Sequence, residues 1–204
     1  MSYKKALFLI FILLLVDQLS KFYIKTHFIL NDGILVFDWF EILFIENEGM
    51  AWGTKLSDFF PFVSDSLAKL ILTLFRIAAV TGIGYWLYLS IKQKKNKWLV
   101  IAVSLIFAGA LGNIIDSVFY GVIFSDSHGQ VATLFPAGGG YADLFHGKVV
   151  DMLYFPIYSG LVADWVPFIG GSHFTFFDPV FNVADVAIST GIGMLILFNN
   201  KIFK

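Results

Sequence analysis

Apolar residues along this chain run in long, nearly unbroken blocks rather than in the short alternations of a water-soluble fold. Four blocks, at about 6–24, 67–91, 98–120 and 180–198, approach the roughly 20 residues that a helix needs to cross a hydrocarbon layer about 30 Å thick. The pattern predicts an integral membrane α-helical protein with four transmembrane helices, forming a single membrane-embedded domain over residues 1–204. Between the blocks the period changes. Residues 34–37 and 40–45 read as strands separated by Asp38-Trp39, and 149–158 and 173–177 are further strand candidates. They predict a small β-sheet resting at the membrane–water boundary, with Trp39, Trp52 and Trp165 suited to an aromatic belt.

Lysines orient the blocks. Lys4 and Lys5 precede the first, Lys92, Lys94, Lys95 and Lys97 fill the connection between the second and third, and Lys201 and Lys204 close the chain. Cytoplasmic connections carry an excess of Lys and Arg, so both termini are expected inside and the long segments, about 25–66 and 121–179, outside. The start has the lysines and apolar run of a secretory signal, but no small-residue cleavage site follows, and it is read as a retained span.

Composition agrees: hydrophobic residues make up 58% and charged residues 14%, with a mean hydropathy of +0.79, too apolar for a soluble domain of 204 residues. With a net charge of −1, nothing basic is concentrated enough to suggest nucleic acid as a partner. The absence of cysteine excludes disulfides, thiol catalysis and Cys-ligated metal.

Against this background the carboxylates stand out, because a charged residue at the centre of a membrane helix costs about 2.5–3.5 kcal/mol on insertion scales. Asp17 and Lys21, four apart, share one helix face, either as a structural pair or as a contact for substrate or lipid headgroup. Asn47-Glu48-Gly49-Met50-Ala51-Trp52-Gly53 follows the second strand candidate; its residues alone read as a hairpin turn, although its small residues also allow close approach of a ligand. Asn113 and Asp116 emerge together near the outer end of the third block, as interhelical glue or as part of a site. Asn182 and Asp185 repeat that spacing at the start of the fourth, where an Asp in the first helical turn is by itself a charge match to the helix dipole. Asp151, set between Val150 and Met152, changes this reading. Two carboxylates at one membrane level, Asp151 and Asp185, can share a proton and act as acid and base together, the chemistry of aspartic proteases, with no metal or cofactor.

Other chemistries have less support. Adjacent helix positions point about 100° apart, so Ser20 and Lys21 do not form a Ser/Lys dyad. His27, His128, His146 and His173 follow no His-Glu-x-x-His spacing, and Gly138-Gly139-Gly140 lacks the Lys of a phosphate-binding loop.

In order along the chain, Asp17-Gln18-Leu19-Ser20-Lys21, Asn47-Glu48-Gly49-Met50-Ala51-Trp52-Gly53, Gly109-Ala110-Leu111-Gly112-Asn113-Ile114-Ile115-Asp116, Val149-Val150-Asp151 and Phe181-Asn182-Val183-Ala184-Asp185 resemble the motifs of lipoprotein signal peptidases (signal peptidase II). The resemblance implies a bacterial inner-membrane aspartyl protease with four transmembrane helices and an extracytoplasmic β-cradle. It also implies a dyad of Asp151 and Asp185, and a substrate site shaped or supported by Asp17, Lys21, Asn47, Gly49, Asn113, Asp116, Asn182 and Ala184. The implied partners are membrane lipids and lipid-modified prolipoproteins, cut just before a diacylglyceryl-cysteine. Two features depart from the family pattern. Ser117 stands where an Arg commonly follows the Asp of the third motif, leaving Arg76 as a possible source of that charge, and the segment between Asp116 and Asp151 is unusually long. Within it, 125–148 reads either as a lid hinged on its three glycines or as a surface insertion. The rival from another class is a small ion-coupled transporter with Asp17, Asp116 and Asp185 as a relay; clustering of the acids at one face disfavours a path through the membrane.

The lysine distribution generates a topology test. Reporter fusions at the carboxy terminus and within 92–97 are expected to give cytoplasmic signals; an extracytoplasmic carboxy terminus would overturn the orientation.

Overall fold

The computed structural model describes residues 1–48 and 63–202. Helix α1 spans Tyr3–His27, α2 Asp65–Lys92 and α3 Lys97–Ile115; α3 runs on through a π-helical turn, Asp116–Tyr120, and one further turn, Gly121–Ile123. Helix α4 is Val183–Leu197 and a short α5 is Asn199–Ile202. The starts of α2, α3 and α4 are set by polar side chains on otherwise orphaned amides: Ser64 accepts from Leu67 N, Asn96 from Trp98 N and Asn182 from Asp185 N.

Three helical stretches, Tyr3–His27, Asp65–Lys92 and Lys97–Ile123, are long and apolar enough to cross a membrane. The fourth differs from expectation. Val180–Phe181 leave the helix to pair with the sheet, Asn182 caps, and the remaining 15 residues of α4 span only about 22 Å. α3 is the packing centre and touches α1, α2 and α4. Its approach to α4 is close enough that a Cβ on Gly109 would lie 2.2 Å from Ala184 O.

The sheet is antiparallel in the order β1-β2-β3-β6, with β1 Gly33–Phe37, β2 Phe40–Asn47, β3 Val149–Tyr154 and β6 Val180–Phe181. β2 and β3 pair with Ile45 opposite Asp151 and Asn47 opposite Val149, beyond a bulge between Ile42 and Ile45. The strand expected at 149–158 ends at Tyr154, two residues before Pro156, which has no N–H to offer a ladder. Tyr158–Leu161 (β4) and His173–Phe176 (β5) instead form a separate hairpin.

The segment 125–148 is packed behind the sheet. Val150 and Met152 lie in one cluster with Phe44, Phe124 and Ala132, whereas Asp151, between them in the strand, points to the opposite face. Beneath the segment, the buried Lys25 ammonium forms a close ion pair with Glu46, donates to Ser127 Oγ at 2.8 Å and sits 4.7 Å from the Tyr141 ring centroid. Lys148 Nζ approaches the other Glu46 oxygen at 3.4 Å. The far end is tied to α2 and α3: Thr73 Oγ1 donates to Phe145 O at 2.9 Å, and Gly147 N to Ser117 O at 2.9 Å. Of the three glycines, Gly140 is held by this packing, since a Cβ there would lie 2.0 Å from Gly121 O, while Gly138 and Gly139 face open space. The lid expectation is therefore corrected: 125–148 is a buttress on the side of the sheet away from Asp151.

Removing one member of a buried ion pair strands the other. Lys25→Ala is expected to lower unfolding free energy in detergent by about 3 kcal/mol, whereas the double change Lys25→Met with Glu46→Leu loses less than the two single changes together. Thermal and denaturant unfolding of the purified variants measures both.

Candidate active site

β3 and the start of α4 converge at one end of the helices, each delivering one carboxylate. Asp151, 2% exposed, accepts from Asn182 Nδ2 at 2.7 Å on Oδ1 and from Asn47 Nδ2 at 3.1 Å on Oδ2. Asp185 is half-buried at the third position of α4, where it closes a capping box: its amide donates to Asn182 Oδ1 at 3.0 Å, and its Oδ2 accepts from Asn182 N at 3.2 Å. Its Oδ1 accepts from Asn113 Nδ2 at 2.8 Å. Asn182, itself fully buried, thus holds both acids, one through its side chain and the other through its backbone.

Behind the acids lies a second layer of charge. Lys21 Nζ has three short contacts for its three protons: Asp17 Oδ2 at 3.0 Å, Asp116 Oδ2 at 2.9 Å and Asn113 Oδ1 at 2.7 Å. Both carboxylates also hold backbone. Asp17 Oδ1 accepts from Ala184 N at 2.9 Å, in the first turn of α4, and Asp116 Oδ2 from Val150 N at 3.3 Å, one residue before Asp151. Asn113 joins the layers, because its Oδ1 also accepts from Asn182 Nδ2 at 3.1 Å. The structure therefore brings Asp17, Lys21, Asn47, Asn113, Asp116, Asn182 and Ala184 together around Asp151 and Asp185. Gly49, with Met50, Ala51, Trp52 and Gly53, lies outside the described residues.

Gln18 and Tyr120 join this arrangement without having been assigned to it by sequence reasoning, and Arg76, named there as a source of charge, lies near it. Gln18 Nε2 donates to Asp17 Oδ2 at 3.0 Å and Asp116 Oδ1 at 2.9 Å, and its Oε1 accepts from Tyr120 OH at 3.3 Å. An amide inside an apolar block was the available signal for Gln18; Tyr120 had none. Arg76, on α2, lies within electrostatic reach of Asp185 and Asp151, with Nη1 shut off from solvent. Ser117, at the position of the missing Arg, bonds back to Asn113 O at 3.0 Å. Ser20 does the same to Asp17 O at 2.8 Å, so its hydroxyl is not paired with Lys21. The histidines are engaged elsewhere: His27 stacks on Tyr23, His128 pairs with Asp126, His146 meets Ser66 and His173 meets Ser159. Among the described residues no group of three His, Asp or Glu side chains is placed to hold a metal ion.

Asp151 lies on a strand outside the helices. Burial, and then repulsion from Asp185, push its carboxyl up to about 7, against the hydrogen bonds from Asn47 and Asn182 that favour the anion. A carboxylic acid that keeps its proton near neutrality, beside a second carboxylate, suits paired acid–base work.

The model of the family described as signal peptidase II matches residues 9–200. The chain is 49% identical over 193 residues to the lipoprotein signal peptidase of Porphyromonas gingivalis, covering 93% of this chain and 80% of that one. It is 37% identical over 186 residues to the lipoprotein signal peptidase of Amoebophilus asiaticus, covering 89% and 72%. Two solved structures, each described as a bacterial membrane enzyme, share the fold. One aligns with a TM-score of 0.59 at 23% identity over 98% of this chain and 89% of the other, and the second with 0.60 at 22% identity over 96% and 92%.

The raised Asp151 carboxyl links stability to pH. Between about pH 4, where the unfolded acid titrates, and about pH 7, where the folded one does, the native state binds the extra proton. Stability should therefore fall as pH rises through that window, by at most about 1.4 kcal/mol per unit from this group, and level off above it. Asp151→Asn is expected to flatten the profile, melting above wild type at pH 8 and near it at pH 4, as followed by thermal unfolding in detergent.

Proposed function

The chain belongs to the signal peptidase II family, and on that footing we propose that it is an aspartyl endopeptidase that removes signal peptides from diacylglyceryl-modified prolipoproteins, cutting just before the lipidated cysteine. The observation that carries the reading is the single asparagine, Asn182, that bonds both Asp151 and Asp185. The enzyme acts as one domain in the bacterial inner membrane, with both termini cytoplasmic, α4 extended by α5 as the fourth span, and the acids near the outer face.

Asp185 is the base and Asp151 the acid. Asp185 sits in the first turn of a helix, where the dipole and donated hydrogen bonds from Asn113 and the Asn182 amide favour a negative charge. It takes a proton from a water molecule as the water oxygen attacks the scissile carbonyl carbon. Asp151 hydrogen-bonds the carbonyl oxygen and gives it a proton, so that a neutral tetrahedral diol forms. On collapse the C–N bond breaks, the proton now on Asp185 goes to the leaving nitrogen, and a diol hydroxyl returns a proton to Asp151. Asn182 and Asn113 hold the acids in register, Asn47 orients Asp151, and Asp17, Lys21, Asp116 and the Ala184 amide fix the elements that carry them. Gly49 belongs by motif to the same substrate-contacting set. Membrane lipid surrounds the helices, and the precursor's acyl chains fix the depth at which its peptide meets the acids.

Asp151→Asn and Asp185→Asn should each reduce cleavage of a lipidated precursor by 10³-fold or more, on the order expected for loss of a proton-transfer group, while the protein stays inserted and folded. Conversion of precursor to shortened lipoprotein on gels reads this out, and substantial turnover by either variant removes that residue from the dyad. Wild-type kcat/KM should fall above about pH 7, where Asp151 loses its proton.

A further inference from the structure

The π-helical turn of α3, Asp116–Tyr120, is met from outside by the end of the buttress. A π turn widens the helix and takes carbonyls out of the regular ladder, and buried acceptors of that kind need other donors. Ser117, Val118 and Gly121 are buried, and backbone amides of 142–147 supply the donors: Gly147 N bonds Ser117 O at 2.9 Å, Phe145 N bonds Val118 O at 3.0 Å and Ala142 N bonds Gly121 O at 3.0 Å. Glycine on both sides permits the approach. A Cβ on Gly147 would lie 2.1 Å from Asp116 O and 3.0 Å from Gly121 N, and one on Gly121 would lie 3.0 Å from the carbonyl oxygens of Ala142 and Asp143. The strap is closed at its base, where Lys148 N donates to the Tyr141 hydroxyl at 2.7 Å, and it is held from α2 by Thr73 Oγ1 on Phe145 O at 2.9 Å. One short stretch of chain therefore meets Asp116 twice. The Asp116 carbonyl lies against Gly147, and the Asp116 carboxylate accepts from Val150 N at 3.3 Å, immediately before Asp151.

We propose that residues 141–148 are a clip that sets the position of Asp151 for catalysis, with Gly147, wedged against the π turn, as a positioning residue. The inference rests on the peptidase reading and gives this chain's long insertion a part in the reaction. Gly147 has no side chain to offer the acids and acts through Asp116. A side chain at 147 has to push the Asp116 carbonyl away or lift the start of β3, and either movement stretches the 3.3 Å bond from Val150 N. Asp151 then stands away from the helix ends, opened to water and drawn off Asn182, with which it now shares a 2.7 Å bond. The charged groups facing Asp151 are Asp185 from α4, Lys21 with its partner Asp17 from α1, and Arg76 from α2, with Asp116 of the π turn held on Val150 N. Lys25, Glu46 and Lys148 pair with one another on the other face of the sheet, where Glu46 lies opposite Val150. The substitution alters none of these charges, so what it changes is burial, the leading cause that keeps the Asp151 proton in place near neutrality.

The test compares the full chain in detergent with Gly147→Ala, with Thr73→Val, which removes the hold on Phe145 O, and with Gly138→Ala, a control where the insertion faces open space. Two profiles are measured across pH: kcat and KM for a lipidated precursor, and the melting temperature, which requires no cleavage. Gly147→Ala is expected to lower kcat by on the order of 10²-fold while KM stays within about twofold of wild type, the signature of misplaced reacting groups with substrate contacts intact. The alkaline limb of kcat/KM, and the pH at which the fall in melting temperature levels off, should both move from about 7 toward acid, by about one pH unit. Thr73→Val should move them the same way by less, and Gly138→Ala should leave them in place. Wild-type kcat in folded Gly147→Ala overturns the proposal, as does a melting temperature lowered equally at every pH, which would mark a structural role alone. If Gly147→Ala does not fold, Thr73→Val decides on the same terms. A wild-type chain that leaves the precursor uncut counts against the peptidase reading, and the melting profiles then decide the clip by themselves.

Discussion

One ammonium group organises the end of this molecule that carries Asp151 and Asp185. Lys21 is fully buried, and its three protons go to Asp17, Asp116 and Asn113 at 2.7–3.0 Å. Removing one partner from such a buried set costs about 3–5 kcal/mol, because the remaining charge is left without water or counter-ion. Asp17 and Asp116 also each hold one backbone amide, Ala184 N and Val150 N, immediately before the positions of Asp185 and Asp151. The cation thereby fixes, through two carboxylates, the helix and the strand that carry the paired acids.

The environments of those acids differ, and the difference follows from their elements. Asp185 belongs to a helix cap, half-buried and surrounded by donors. Asp151 belongs to a strand pressed against the helix ends, where burial dominates and its carboxyl is pushed up to about 7. Asn182 spans the two environments, because a capping asparagine has a backbone amide for one acid and a side-chain amide for the other. Gln18 and Tyr120 complete the polar layer beneath, so charges sunk among apolar helices meet hydrogen-bonding partners rather than lipid.

The segments outside the long helices pack in two different ways. Residues 125–148 bury a second lysine, Lys25, against Glu46 and the Tyr141 ring, and brace the face of the sheet turned away from Asp151. The β4–β5 hairpin buries little of itself and turns aromatic residues outward.

The sequence by itself determined the apolar helices to within a few residues, because length and hydropathy are local properties. It also marked Asp17, Lys21, Asn113, Asp116, Asp151, Asn182 and Asp185, since polar residues beside lipid demand a reason. Only the tertiary structure decided what those residues touch. That Asp17 caps a helix 167 positions away, that Asp116 holds the strand of Asp151, and that Tyr120 and Arg76 reach the same site are facts of helix packing, invisible to any local pattern. The same holds for three expectations that changed. The fourth helix is shortened by pairing of Val180–Phe181 with β3, the strand after Asp151 stops short of Pro156, and the glycine-rich insertion is a brace because Gly140 is pressed against Gly121. Periodicity records which residues prefer to be buried; which surface buries them depends on partners distant in the chain.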